Sequence, residues 1–429
     1  MLIKKNVYNL WLSLTLIFYI LIFTVLFILR YRAFFAETWE DLAIYNQILW
    51  NIVHGNGPYC SITQTIFFGH PSLILYLIAL PYALWPHIYN LYFILSLSLA
   101  LGAIPLFLLS KKIFSSSGIA LYIAIIYLLL PALHFLNLTD FRPILLCIPL
   151  LLWAFYFFYE KRFLPFVIFT LLSVFCYETV CLNIIFFGIY ALMLRRSLKW
   201  VLVPMLIGIL WFIIAVFIIM PALGYKEFMA NFYIADYTKN VALKGTLNWQ
   251  GVLFYALFHL PEMLHHIISK PMLTYICRIS GLPYLFLPYF SPLVLIIALP
   301  TYLQIMLQPS ILGVDYGHQI TPIIAFLAIA TVFGLDRCLS LFKKYQLNYL
   351  RRPFLIIVFI LIFLSNFGYT RFGLIREPIY DRRFMNVRNI FNPVFYIQDE
   401  QDKIAMKLIA RIPKDASVTT SGDLLPQLS

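Results

Sequence analysis

The sequence predicts an all-α, polytopic transmembrane helical bundle of about eleven spans, and three observations predict it. First, 62% of the 429 residues are hydrophobic and only 11% are charged, with a mean hydropathy of +0.88. A soluble domain carries about 25% charged residues. A chain this poor in charge cannot cover a water-exposed surface and must put most of its surface in lipid. Second, the apolar runs are long and continuous rather than alternating, so they are helices and not barrel strands. Third, the basic residues fall between those runs and not in one block. The formal charge of +13 therefore does not mark a nucleic-acid binder, and no nucleic-acid partner is expected.

The expected spans are 8–29, 88–109, 119–135, 144–159, 163–175, 180–194, 200–220, 273–289, 291–307, 320–335 and 354–367. A span needs roughly 20 apolar residues, and several of these are shorter. The run at 8–29 has no small-residue cleavage site, so it reads as a span and not as a removed signal. Orientation follows from the positive-inside rule. Lys4 and Lys5, Lys111 and Lys112, Lys161 and Arg162, Arg195, Arg196 and Lys199, and Lys343, Lys344, Arg351 and Arg352 mark five basic segments. All five reach the cytoplasmic side if 163–194 makes two passes and 71–84 stays outside as a surface or re-entrant segment. The N-terminus is then cytoplasmic and the C-terminus extracytoplasmic. Acidic residues agree: of 18 Asp and Glu, only Glu160 and Asp336 fall inside.

The domain layout that follows is a transmembrane region over 1–370, with outer loops at 31–87 and 221–271, and an extracytoplasmic segment over 371–429. That tail holds a charged helical piece near 399–412 and a strand-like piece at 416–420. It stops at Ser429 in mid-pattern, and either continuation beyond that point or packing of the tail on the membrane part is expected. The six cysteines show no paired metal spacing and read as buried free thiols, with a Cys176–Cys181 redox pair as the alternative.

The chemically interesting residues collect on the outer face. After Trp39, Glu40 and Asp41 open a stretch in which Leu42, Tyr45, Leu49 and Ile52 recur at helical spacing, with Gly55 as a C-cap. This predicts a short amphipathic helix on the membrane surface. Asp41 sits where the first span leaves the membrane, and a partly desolvated carboxylate there suits a proton acceptor. The structural alternative is that Glu40 and Asp41 only cap the helix. His70, in Gly69-His70-Pro71-Ser72, is placed to meet an anion or is simply an interfacial histidine. Asp140 and Arg142 make a second acidic–basic spot, or a local ion pair. Glu178 and Arg278 each interrupt an apolar run. Ionisable groups at membrane depth are costly and usually functional; these two could pair with each other or face a phosphate. A surface turn would make Glu178 uninformative. His318 stands at the outer end of the tenth expected span.

Asp41-Leu42-Ala43-Ile44-Tyr45-Asn46-Gln47-Ile48-Leu49-Trp50-Asn51, then His54-Gly55 and His70-Pro71-Ser72-Leu73-Ile74-Leu75-Tyr76, resembles the opening of a family of predicted prokaryotic multi-pass membrane proteins. That family, a domain of unknown function, is grouped with the GT-C superfamily of glycosyltransferases. Asp140-Phe141-Arg142-Pro143, Tyr177-Glu178, Tyr316-Gly317-His318-Gln319 and Ile412-Pro413-Lys414-Asp415-Ala416-Ser417-Val418 fall where the family has further motifs. Two features depart from it: Arg142 stands where the family more often has histidine, and against the family's pattern the soluble segment is expected to be cut short at Ser429.

The resemblance implies a polyprenyl-phosphate-linked sugar donor used at the outer face, an acceptor not named by the sequence, and inverting transfer of a hexose or pentose. By position Asp41 would be the general base, with Glu40 as alternative. His70, Asp140, Arg142, Glu178, Arg278 and His318 would bind the donor phosphate or substrate. Relatives differ in metal use, so a divalent cation (Mg or Mn) is left open and no ligand cluster is assigned. The competing classes are a transporter or lipid flippase, against which stands the lack of an internal repeat, and a non-catalytic membrane assembly protein.

Overall fold

The computed structural model describes residues 2–34, 41–139, 141–223, 276–306, 318–372 and 393–413, with isolated positions elsewhere. The chain is a helical membrane protein, as its composition requires. The described helices are α1 (Leu2–Arg32), α2 (Asp41–Val53), α3 (Ile74–Tyr82), α4 (Ile88–Leu101), α5 (Ala103–Phe114), α6 (Ser117–Leu128) and α7 (Pro131–Thr139). They continue with α8 (Cys147–Tyr159), α9 (Phe163–Val174), α10 (Val180–Met193), α11 (Leu198–Ile213), α12 (Pro292–Met306), α13 (Thr321–Lys344), α14 (Arg351–Phe372) and α15 (Glu400–Ile409). Strands β1 (Tyr59–Cys60) and β2 (Thr65–Ile66) pair antiparallel in a small hairpin.

Among the described residues, five helical segments are long and apolar enough to cross a membrane: 7–32, 88–114, 198–222, 318–344 and 348–366. A sixth is the pair α6 and α7, bent by 45°. Pro131 lacks the N–H needed to continue a helix, so the expected straight span over 119–135 is broken there. Helices α8, α9, α10 and α12 are apolar but shorter. The expected helix over 273–289 is corrected from Cys277 on: Leu273 and Ile276 are helical, but a π turn, Cys277–Gly281, follows, and then 3-10 turns at Leu282–Tyr284 and Leu287–Phe290. Pro283 and Pro288 interrupt the ladder, and Leu285 and Phe286 take left-handed φ values of 49° and 58°.

Helix α13 is the axis of the bundle. It packs against α8, α5, α12 and the 3-10 turn Leu287–Phe290, and 72% of its most apolar window is buried, against 17% for the segment 348–366. At Gly334 the turn lies so close that a Cβ would sit 1.9 Å from the Leu287 carbonyl oxygen. Helices α1, α11 and α14 line the periphery. Leu10, Leu14, Phe18, Leu21 and Val25 form an exposed stripe on α1 at helical spacing, which is the surface a lipid-facing helix presents.

Several connections at the basic segments are tight turns with a left-handed residue: Ser115, Lys161, Arg195 and Gln346. Arg162 N–H reaches the Phe157 carbonyl, Arg196 reaches Ala191 and Leu347 reaches Phe342, at 2.8–3.0 Å. These six-residue closures satisfy the last helix carbonyls. The basic runs are therefore helix-ending turns.

Helix α3, nine residues and ~14 Å long, cannot span, in keeping with a re-entrant or surface segment. Helix α2 differs from expectation. Instead of lying on the membrane surface with one face exposed, it buries Asp41, Leu42, Ala43, Ile44, Tyr45, Asn46, Ile48 and Leu49. Protein covers it because the hairpin and α3 pack on it. Its C-terminus is as expected: Gly55 has φ +79° and Asn56 N–H bonds the Asn51 carbonyl at 2.9 Å. The segment before α15 docks on the end of α1. The Arg30 guanidinium lies 5.3 Å from the Phe395 ring centroid, and Gln398 Nε2 donates to the Arg32 carbonyl at 2.7 Å.

Candidate active site

Five segments bring polar side chains to one end of the bundle. The first is the start of α2. Asp41 is its first residue, and its neighbours are anchored by their own polar groups. Tyr82 hydroxyl donates to Asn46 Oδ1 at 2.8 Å, linking α3 to α2. Gln47 makes two 2.8 Å bonds with Ser61, and Asn51 Nδ2 donates to the Tyr59 carbonyl at 2.8 Å. The hairpin therefore clamps the exposed side of α2 while the apolar side enters the core.

The second segment is the turn that carries His70. Phe67, Phe68 and Gly69 run consecutively at φ values of 58°, 50° and 79°. For phenylalanine this left-handed region is strained, on the order of 1–3 kcal/mol each, and such strain clusters at functional sites. The third segment is the connection between α9 and α10, which carries Tyr177 and Glu178. Ser72 Oγ donates to the Cys176 carbonyl at 2.9 Å, and Ile74 N–H to the Phe175 carbonyl at 3.1 Å, so the two turns are fixed to each other. The fourth carries Arg142, just before the 3-10 turn Pro143–Leu146, and the fifth carries His318, at the start of the turn leading into α13.

The contacts form two linked chains. Arg142 Nη2 is ion-paired with Asp41 Oδ2, and Arg142 Nη1 donates to His318 Nε2 at 3.1 Å. On the other side, His70 Nδ1 lies 3.0 Å and 3.2 Å from the two Glu178 carboxylate oxygens. His70 Nε2 is 2.6 Å from the Tyr177 hydroxyl. The Tyr177 ring joins the chains, stacked on His70 at 4.1 Å and edge-on to His318 at 6.4 Å between centroids. Side-chain exposure falls from 17% at Arg142 and 13% at His70 to 5% at Asp41 and zero at Glu178.

Of the residues singled out in the sequence, Asp41, His70, Arg142, Glu178 and His318 thus come together. Glu178 lies in a helix-to-helix turn, yet it is fully buried, and its partner is His70. Arg278 is on the π turn Cys277–Gly281, with its side chain outside the described residues. Glu40 and Asp140 also lie outside them. Arg142 pairs with Asp41, 101 residues away in sequence. Tyr177 was missed as a site residue; its only sequence signal was its place beside Glu178. Among the described residues, no three His, Cys, Asp or Glu side chains converge as a metal site, and Asp41 already faces a guanidinium. The thiols of Cys60, Cys147, Cys176 and Cys181 are free and buried.

A family described as "Predicted membrane protein (DUF2079)" matches residues 30–429. No curated protein matches the chain. A solved structure with a similar fold is that of ArnT from Cupriavidus metallidurans bound to undecaprenyl phosphate. It has a TM-score of 0.50 and 12% identity, covering 97% of this chain and 84% of that one. The likeness is one of fold.

Proposed function

The chain belongs to the DUF2079 family of predicted membrane proteins, and from that premise we propose that it is a membrane glycosyltransferase of the GT-C type. It would move a hexose or pentose, with inversion, from a polyprenyl-phosphate-linked donor to an acceptor on the extracytoplasmic face. The observation that carries this reading is the convergence of Asp41, Arg142, His318, Tyr177, His70 and Glu178. A bundle built only as a scaffold has no use for an arginine ion pair and a buried carboxylate–imidazole pair side by side. The similar fold of ArnT, bound to undecaprenyl phosphate, supports a lipid-phosphate donor.

In this reading Arg142 binds the donor phosphate, helped by His318. A guanidinium suits phosphate because it offers several donors in one plane. The phosphate then competes with Asp41 for Arg142, and the carboxylate is left to take the proton of the acceptor hydroxyl. Arg278 and Asp140 remain candidates for the same donor or for the acceptor, and Glu40 the alternative base. The termini keep the expected orientation, cytoplasmic for the N-terminus and extracytoplasmic for the segment 371–429. The contacts of Phe395 and Gln398 with the end of α1 support a tail packed at that face.

The test is transfer of radiolabelled sugar from polyprenyl phosphate donors by the purified full chain in lipid nanodiscs, across a panel of acceptors. Transfer that needs Arg142 is expected. No transfer with any donor, together with substrate movement across the bilayer, would replace this reading with a flippase.

A further inference from the structure

Glu178, His70 and Tyr177 form a connected chain that the reading above leaves idle. Glu178 has no exposed surface, and among the described residues His70 is its hydrogen-bond partner. A buried carboxylate without compensation is costly enough that it takes up a proton or a cationic partner. The pair reaches net neutrality in two ways: as carboxyl and neutral imidazole, or as carboxylate and imidazolium. Both hold the same number of protons. The hydrogen bond between Glu178 and His70 thus holds one proton that the two side chains can exchange.

Geometry decides where that proton can go. Nδ1 of His70 is turned to Glu178, and Nε2 lies 2.6 Å from the Tyr177 hydroxyl, which makes a route for the proton through Nε2. The Tyr177 ring abuts His318, and His318 accepts from Arg142. The outer end of the chain thus adjoins the cationic part of the site. Among the described residues, the titratable and charged groups around His70 are Glu178 and Tyr177 on the α9–α10 connection, His318 at the start of α13, and Arg142 beyond it.

We infer that Glu178, His70 and Tyr177 are a proton relay to the phosphate of the lipid ligand. The inference rests on the glycosyl-transfer reading. In the step, the acceptor oxygen bonds to the anomeric carbon and its proton goes to Asp41. The bond from that carbon to the phosphate oxygen breaks, with the electron pair going to the phosphate. Tyr177 gives its hydroxyl proton to that oxygen and takes the Nε2 proton of His70. Polyprenyl phosphate leaves as a monoanion. Glu178 remains a carboxylate beside neutral His70, and the pair regains its proton from water before the next turnover. Tyr177 touches the ligand and is catalytic; His70 and Glu178 act through it and are positioning residues.

The experiment measures net proton uptake when polyprenyl phosphate binds the full chain in nanodiscs, by calorimetry in two buffers of different ionisation enthalpy. At about pH 8 the free phosphate is a dianion, its second pKa being about 6. The unmutated protein is expected to take up close to one proton per lipid bound. Tyr177→Phe and Glu178→Gln should bind the lipid with no uptake. Tyr177→Phe should also lower the transfer rate about 100-fold and flatten the fall in rate with rising pH. Should Glu178→Gln not fold, Tyr177→Phe, which removes one buried-side hydroxyl, carries the test alone. Proton uptake by Tyr177→Phe equal to that of the unmutated protein, or an unchanged pH–rate profile, overturns the relay. Sugar transfer without proton uptake sinks the relay and leaves the transferase reading intact. Proton uptake without transfer to any acceptor does the reverse, and failure to bind the lipid removes both.

Discussion

Asp41→Asn separates what the Asp41–Arg142 pair does for stability from what it does for chemistry. The side chains are 5% and 17% exposed, so the pair is largely out of water. At an effective dielectric of about 20, opposite charges about 4 Å apart attract by ~4 kcal/mol. Removing one partner of such a pair costs about 3 kcal/mol, because the other charge stays buried. Asp41→Asn keeps shape and size but leaves the guanidinium charge facing a neutral amide, with His318 Nε2 hydrogen-bonded on its far side. Arg142→Gln should cost a similar amount. The double variant should cost less than the two together, with a coupling of about 2 kcal/mol. The assay is thermal unfolding of the four proteins in detergent, alongside sugar transfer from radiolabelled donor. The double variant should lose about 4 kcal/mol, less than the sum of about 6 kcal/mol from the two single losses, while transfer stays at least about 100-fold down in every variant lacking Asp41. Strictly additive melting losses would refute the pair. Full transfer by Asp41→Asn would remove Asp41 from the mechanism whatever the melting data show.

Gly334→Ala places a methyl 1.9 Å from the Leu287 carbonyl oxygen, whereas at Gly118 the nearest atom is 3.7 Å away; the first change should destabilise by about 2–3 kcal/mol and the second should not, and equal melting temperatures would contradict the packing at α13. A cysteine in place of the exposed Tyr59 should react with an impermeant reagent from outside, and one at Lys343 only after permeabilisation; external labelling at Lys343 would invert the topology. Glu40→Gln should lower transfer far less than Asp41→Asn, and equal losses would make Glu40 the base.

The sequence by itself determined the class of molecule. Eleven per cent charge in 429 residues leaves no way to build a water-covered surface, and continuous apolar runs leave only helices to satisfy the backbone in lipid. Helix ends were legible too, because Gly55 and the basic turns are local features read residue by residue. The family was legible in the motif from Asp41 to Asn51 for the same reason. What periodicity could not give was the environment of each element. The spacing of Leu42, Tyr45 and Leu49 described an apolar face, but only the hairpin and α3, arriving from later in the chain, bury the rest of α2. The breaks at Pro131, and at Leu285 and Phe286, turn on backbone angles that hydropathy does not record. The site divides in the same way. Asp41, His70, Arg142, Glu178 and His318 were each conspicuous as polar groups in apolar surroundings. That Arg142 pairs with Asp41, that Glu178 meets His70, and that Tyr177 joins the two halves are contacts across about a hundred residues or more of chain. Such pairings depend on how turns are held against one another by bonds such as Ser72 to Cys176, and packing in three dimensions decides them.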